Sequence, residues 1–124
     1  MYLENSKTII VKIGSSLIID DKKIIRKKWL LEFAKDIKAL RKKNKNIIIV
    51  SSGAIALGCK KLNITKKKLK IDQSQAVASV GQIELMNLFK EIFAIQKINI
   101  SQILLTLEDT CLLYTSDAAD EWLR

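Results

Sequence analysis

Thr8-Ile9-Ile10-Val11-Lys12-Ile13 is an almost unbroken apolar, β-branched run, the pattern of a strand covered on both faces, and Gly14 ends it. Further on, Trp29, Leu30, Phe33, Ala34, Ile37 and Leu40 recur at three- and four-residue spacing with charged residues between them, which predicts an amphipathic helix. Lys42-Lys43-Asn44 closes that helix with the positive charge favoured near a C-terminus. Ile47-Ile48-Ile49-Val50 reads as a second buried strand, and the intervening helix is long enough for a parallel crossover. Together these segments predict a βαβ unit.

Ser51-Ser52-Gly53 then leads into a short helix, Ala54-Ile55-Ala56-Leu57, which Gly58 can finish. A longer helix is expected to start at Asp72 as N-cap, with Gln75 three residues on, and to run through Ala76, Val80, Ile83 and Met86 to Phe93. Its apolar stripe is broad enough to suggest burial on more than one side. Ile103-Leu104-Leu105, ending at Thr106, reads as a third strand, and no internal repeat is visible. Trp29, Phe33 and Met86 are expected to be core residues without a functional role, and Cys59 a small buried one.

Composition narrows the class. With 124 residues, 48% of them hydrophobic and 28% charged, the chain has the make-up of one small soluble domain. No apolar run approaches the roughly 20 residues of a membrane span. The N-terminus lacks the apolar stretch of a signal peptide, so a cytoplasmic location is expected, with no membrane partner. Cys59 and Cys111 form neither a disulfide framework nor a zinc motif. The formal charge of +9 raises the possibility of a small basic nucleic-acid-binding module. Against that, Ile, Lys and Asn are abundant together, as on a merely solvated surface, and the Lys66-Lys67-Lys68, Lys70 run has no interleaved aromatics and reads as a loop. From Cys111 to Arg124 there is no Ile, Lys or Asn. The run Cys111 to Glu121 resembles a translated sequencing adapter, so the chain divides into residues 1–110 and a non-native tail, 111–124, excluded from fold reasoning.

Candidate chemistry collects at two strand ends, and in an open parallel sheet ligands bind beyond the carboxyl ends of the strands. At Val11-Lys12-Ile13-Gly14-Ser15-Ser16, glycine permits close approach of backbone N–H groups to an anion, and a lysine can neutralise phosphate charge. The spacing is not that of a Walker A loop. At Val50-Ser51-Ser52-Gly53-Ala54, a helix start offers free N–H groups to a carboxylate or phosphate. Each motif alone is matched by a bland reading, a solvent-facing lysine or a serine N-cap. Their pairing on one edge is what a site for two negatively charged reactants needs.

These motifs, with Val80-Gly81-Gln82, Leu85-Met86 and Gln102-Ile103-Leu104-Leu105-Thr106 with Asp109, resemble the ordered N-terminal motifs of the glutamate-kinase branch of the amino acid kinase family. The resemblance runs from about Thr8 to Asp109. It implies an α/β fold, an αβα sandwich around a mostly parallel sheet, and transfer of a phosphoryl group from ATP to the side-chain carboxylate of L-glutamate, with Mg²⁺ on the nucleotide. Lys12 then matches a catalytic lysine on the ATP phosphates, Gly14 and Ser15 the loop around them, and Ser52, Gly53 and Ala54 the glutamate-binding position. A homo-oligomer is expected for the full-length protein, with no nucleic-acid partner. The kinase part of a bifunctional pyrroline-5-carboxylate synthase begins in a similar way. The family domain is about 250 residues, at the upper end of the single-domain range, so the second half would be missing and this chain alone is expected to be inactive.

Overall fold

The structure, a computed structural model, describes residues 2–105. A single helical turn, α1 (Tyr2–Asn5), leads into β1 (Thr8–Ile13), and α2 (Lys27–Lys42) crosses over to β2 (Asn46–Ser51). Helices α3 (Ala54–Leu62) and α4 (Ile71–Ile95) follow. Strands β1 and β2 pair in parallel, from Thr8 opposite Asn46 to Ile13 opposite Ser51. The expected βαβ unit is therefore present, with β1 at the expected residues and β2 longer by one residue at each end.

Alternation along the strands decides where the core lies. Val11, Ile13, Ile47 and Ile49 face a cluster built from Leu30, Ala34 and Ile37 of α2, Leu57 of α3, and Leu85, Leu88, Phe89, Ile92 and Phe93 of α4. Phe33 of α2 meets Phe93 edge-on at 6.3 Å between ring centres, a favoured aromatic geometry that ties α2 to α4. Trp29 stacks on Phe33 at 5.3 Å but lies at the rim of the cluster, half-exposed, where the sequence suggested core. Cys59 is buried, as expected.

On the other face of the sheet, Ile10 is 67% and Val50 48% exposed. The unbroken β-branched runs predict cover on both faces, and the described residues supply it on one only. Helix α4 shows the same asymmetry: Val77, Leu85, Leu88, Phe89 and Ile92 are buried, whereas Ile83 on another face is exposed. Among the described residues the third predicted strand does not form. Ile103, Leu104 and Leu105 belong to no strand and are exposed, because an apolar run becomes a strand only where a neighbour completes its hydrogen bonds. Thr106 and the segment 111–124 lie outside the described residues.

Two helix boundaries differ from expectation for local reasons. Helix α3 runs through Gly58 and stops at Asn63, whose φ of 54° places it in the left-handed region, while the Ile64 N–H donates to the Cys59 carbonyl at 3.0 Å. This is the six-to-one closure of a helix C-terminus, with asparagine in the place usually taken by glycine. Replacing Asn63 by valine should cost about 1–2 kcal/mol of stability in thermal unfolding, whereas Asn63→Gly should be neutral or stabilising, because a Cβ is strained in the left-handed region, most of all a β-branched one, and glycine has none. Helix α4 starts two residues before the expected cap: Lys70 is its N-cap, and its N–H donates to the Gln73 side-chain oxygen at 3.0 Å.

Gly58 has a packing role in place of a terminating one. A Cβ at Gly58 would overlap the Val77 carbonyl oxygen and come within 2.8 Å of Val77 Cγ1. One at Gly81 would overlap the carbonyl oxygen of Ala54. Helices α3 and α4 thus cross backbone against backbone, at two glycines.

Candidate anion site at the carboxyl rim of the sheet

Both strands run toward the same rim, and both sequence motifs emerge there. After Ile13 the chain turns through Gly14 into a 3-10 turn, Ser15–Leu17, in which the Leu17 N–H donates to the Gly14 carbonyl at 3.1 Å and the Ile18 N–H to that of Ser15 at 3.0 Å. After Ser51 the ladder extends by one further bond, from the Ser52 N–H to the Ile13 carbonyl at 3.1 Å. Gly53 follows with φ of 119°, a conformation open to glycine and strained for other residues, and α3 begins at Ala54.

The two loops lie side by side. A Cβ built on Gly53 would lie 3.8 Å from the Ser15 Cα and Cβ and 3.5 Å from Ile18 Cδ1. A left-handed residue followed by a helical one turns successive N–H groups toward one side, a concavity suited to an anion. The first N–H groups of α3 have no partner within the helix, and its dipole adds partial positive charge at that end. Gly14, Ser15, Gly53 and Ala54 are accordingly brought to one place. Ser52 sits beside them with an exposed side chain, and its carbonyl accepts from the Ser51 hydroxyl at 3.0 Å.

Lys12 is placed differently. It stands opposite Val50, one pair before the strands end, and strand alternation puts it on the uncovered face with Ile10. Lys12 is exposed on that side of the sheet, not on the packed side.

Two residues that the sequence did not single out for the site support it. Arg26, at the start of α2, donates from Nε to the Ser16 carbonyl at 2.7 Å, and its own N–H donates to the Ile18 carbonyl at 2.8 Å. It pins the first loop from below and brings a further cation beside it. Nothing in the local sequence signals this pairing, because it depends on the chain folding back between Ile18 and Arg26, with Asp20 Oδ1 accepting from the Lys22 and Ile24 N–H groups at 2.9 Å. Gly81 is the other, through its contact with Ala54. A glycine inside a helical pattern is a legible hint of close approach, although it cannot name the partner.

The remaining positive charge lies elsewhere. Lys66–Lys68 follow α3, about a nine-residue helix length of 13 Å from its rim end at 1.5 Å per residue. A hollow between the ends of α2 and α4, lined by Lys38, Arg41, Lys42 and Lys97, lies near the opposite, amino end of the sheet. There Lys38 Nζ donates to the Gln96 carbonyl at 3.0 Å, as expected of cations compensating helix C-termini. Among the described residues, no group of three or more His, Cys, Asp or Glu side chains could hold a metal ion, and no helix is long and apolar enough to cross a membrane.

A single left-handed glycine governs the rim, which gives a direct test. Gly53→Ala should cost about 1–3 kcal/mol in backbone strain and weaken the anion site, seen as a lowered Tm together with reduced affinity for the anionic ligand. Unchanged affinity would show that the loop binds nothing.

Residues 7–124 match the profile of the amino acid kinase family. Over 110 residues the chain is 76% identical to a protein of Pelagibacter ubique named glutamate 5-kinase, covering 89% of this chain and 30% of that protein. Proteins with the same name from Ruegeria sp. and Sinorhizobium fredii are 43% and 46% identical over 109 and 108 residues, in each case 87% of this chain and 30% and 28% of the relative. The chain thus spans about 30% of the length of these curated relatives.

Proposed function

Because this chain belongs to the amino acid kinase family, we propose that it supplies the phosphate- and carboxylate-binding rim of a glutamate 5-kinase, which transfers the γ-phosphoryl group of ATP to the side-chain carboxylate of L-glutamate. The observation that carries this reading is the closeness of Gly53 to Ser15, which puts the two anion-friendly loops side by side, as a single site would need. The names of the relatives agree with it and favour it over a nucleic-acid-binding module.

In the proposed reaction a carboxylate oxygen attacks the γ-phosphorus, the bond to the β,γ-bridging oxygen breaks, and ADP leaves. The product is an acyl phosphate, L-glutamyl 5-phosphate, the starting intermediate of proline synthesis. A glutamate side chain with pKa near 4.3 is already ionised at neutral pH, so the nucleophile needs no general base. The barrier to overcome is repulsion between two anions. Lys12 and the Gly14–Ser15 amides would hold the phosphates, while the amides at Gly53 and Ala54, with Ser52, would hold the glutamate. Such preorganised charge and dipoles are the main source of rate in phosphoryl transfer. Mg²⁺ would enter on the nucleotide and offset charge on its phosphates.

The test is glutamate-dependent ADP release by the uninterrupted protein, with hydroxylamine trapping the acyl phosphate as a hydroxamate. Both signals are expected, and both should vanish without glutamate. ADP release without a trapped hydroxamate would refute the assignment. Residues 111–124 are read as foreign to this domain, and sequencing the gene across residue 110 checks that.

A further inference from the structure

The Val80-Gly81-Gln82 motif has no part in the mechanism above, yet its glycine lies against the site. Gly81 sits in the middle of α4 and faces Ala54, the first residue of α3 and the neighbour of Gly53. A methyl group there would overlap the Ala54 carbonyl oxygen and lie 2.7 Å from the Gly58 nitrogen. Both obstacles are backbone, which cannot rotate aside as a side chain could, so the first turn of α3 would have to move away from α4.

We infer that Gly81 is a positioning residue for the carboxylate-binding loop: its lack of a side chain lets α3 start deep enough for the Gly53 and Ala54 amides to meet the Ser15 loop. The inference rests on the kinase reading above. Displacement of Ala54 is passed directly to Gly53, whereas Lys12 lies within the β1–β2 ladder and Gly14 directly follows its last pair. The consequence is therefore selective. Glutamate, bound by the second loop, loses its fit, and the nucleotide phosphates keep theirs. Gly58 provides the internal comparison, since a methyl there meets Val77 in the same crossing but one turn farther from the loop.

The experiment compares Gly81→Ala and Gly58→Ala in the uninterrupted enzyme, measuring Tm and both KM values. Gly81→Ala should raise the KM for glutamate about tenfold or more and leave that for ATP within about twofold, the pattern of a misplaced binding loop. Gly58→Ala should lower Tm comparably, with a change in glutamate KM below about threefold. Equal effects of the two variants on glutamate KM, or parallel increases in both KM values for Gly81→Ala, would overturn the inference. Should Gly81→Ala fail to fold, amide hydrogen exchange in the wild-type enzyme decides: glutamate alone should slow exchange in the first turn of α3, which lies against Gly81, and nucleotide alone should leave it unchanged. Protection of that turn by nucleotide and not by glutamate would overturn the inference. A wild-type enzyme with no glutamate-dependent ADP release would overturn the kinase reading itself and this inference with it.

Discussion

Replacing Lys12 by alanine in the uninterrupted enzyme is expected to lower kcat about 10²–10³-fold, the usual cost of removing one preorganised charge or donor from a developing anion. The KM for ATP should rise as well, because the same ammonium group would bind the ground-state phosphates. Folding should be nearly unaffected. Lys12 is exposed and its backbone, not its side chain, holds the ladder position opposite Val50. Lys12→Arg keeps the charge on a differently shaped group and should recover only part of the loss, since a guanidinium fork does not replace a compact ammonium. Wild-type kinetics in Lys12→Ala would remove lysine from the mechanism and leave the loop amides as the only anion donors.

The second large effect concerns the chain as it stands. The 124-residue polypeptide should show no glutamate-dependent ATP turnover, and it should self-associate as its concentration rises. The reason is the two-stranded sheet. Each strand has one partner and one open edge among the described residues, and Ile10, Ile48 and Val50 expose an apolar face beside those edges. Unpaired edges next to apolar surface recruit other chains, and two strands give little independent stability. Sedimentation velocity should show concentration-dependent oligomers, and Ile10→Thr with Ile48→Thr should shift the distribution toward monomer. A monomeric, catalytically competent 124-residue chain would contradict the account.

Local signals in the sequence were enough for the βαβ unit. Spacing of Leu30, Ala34 and Ile37 found the buried stripe of α2, and the β-branched runs found both strands, since those patterns are set by neighbours a few residues away. The rim motifs were legible for the same reason: Gly14, Ser15, Gly53 and Ala54 stand at ends that a parallel sheet must place together. What escaped depends on contacts distant in sequence. Gly58 looks like a helix terminator until Val77 is seen lying against it, and Asn63 does the terminating. The cover predicted for both strand faces, and the strand predicted at Ile103–Leu105, record what those residues are suited to. Neither can form without a partner element, and among the described residues none is present. The strand-end position of Lys12 is legible in the sequence, while its side of the sheet follows only from the observed register.

The most direct test is a structure of the uninterrupted enzyme with a non-hydrolysable ATP analogue and L-glutamate bound. The terminal phosphate should lie within hydrogen-bonding distance, about 3 Å, of Lys12 Nζ or the Gly14–Ser15 amides, with the glutamate carboxylate equally close to the amides of Gly53 and Ala54. Nucleotide phosphates bound away from both loops, for instance in the basic hollow between the ends of α2 and α4, would contradict the claim that this rim is where the two anions meet.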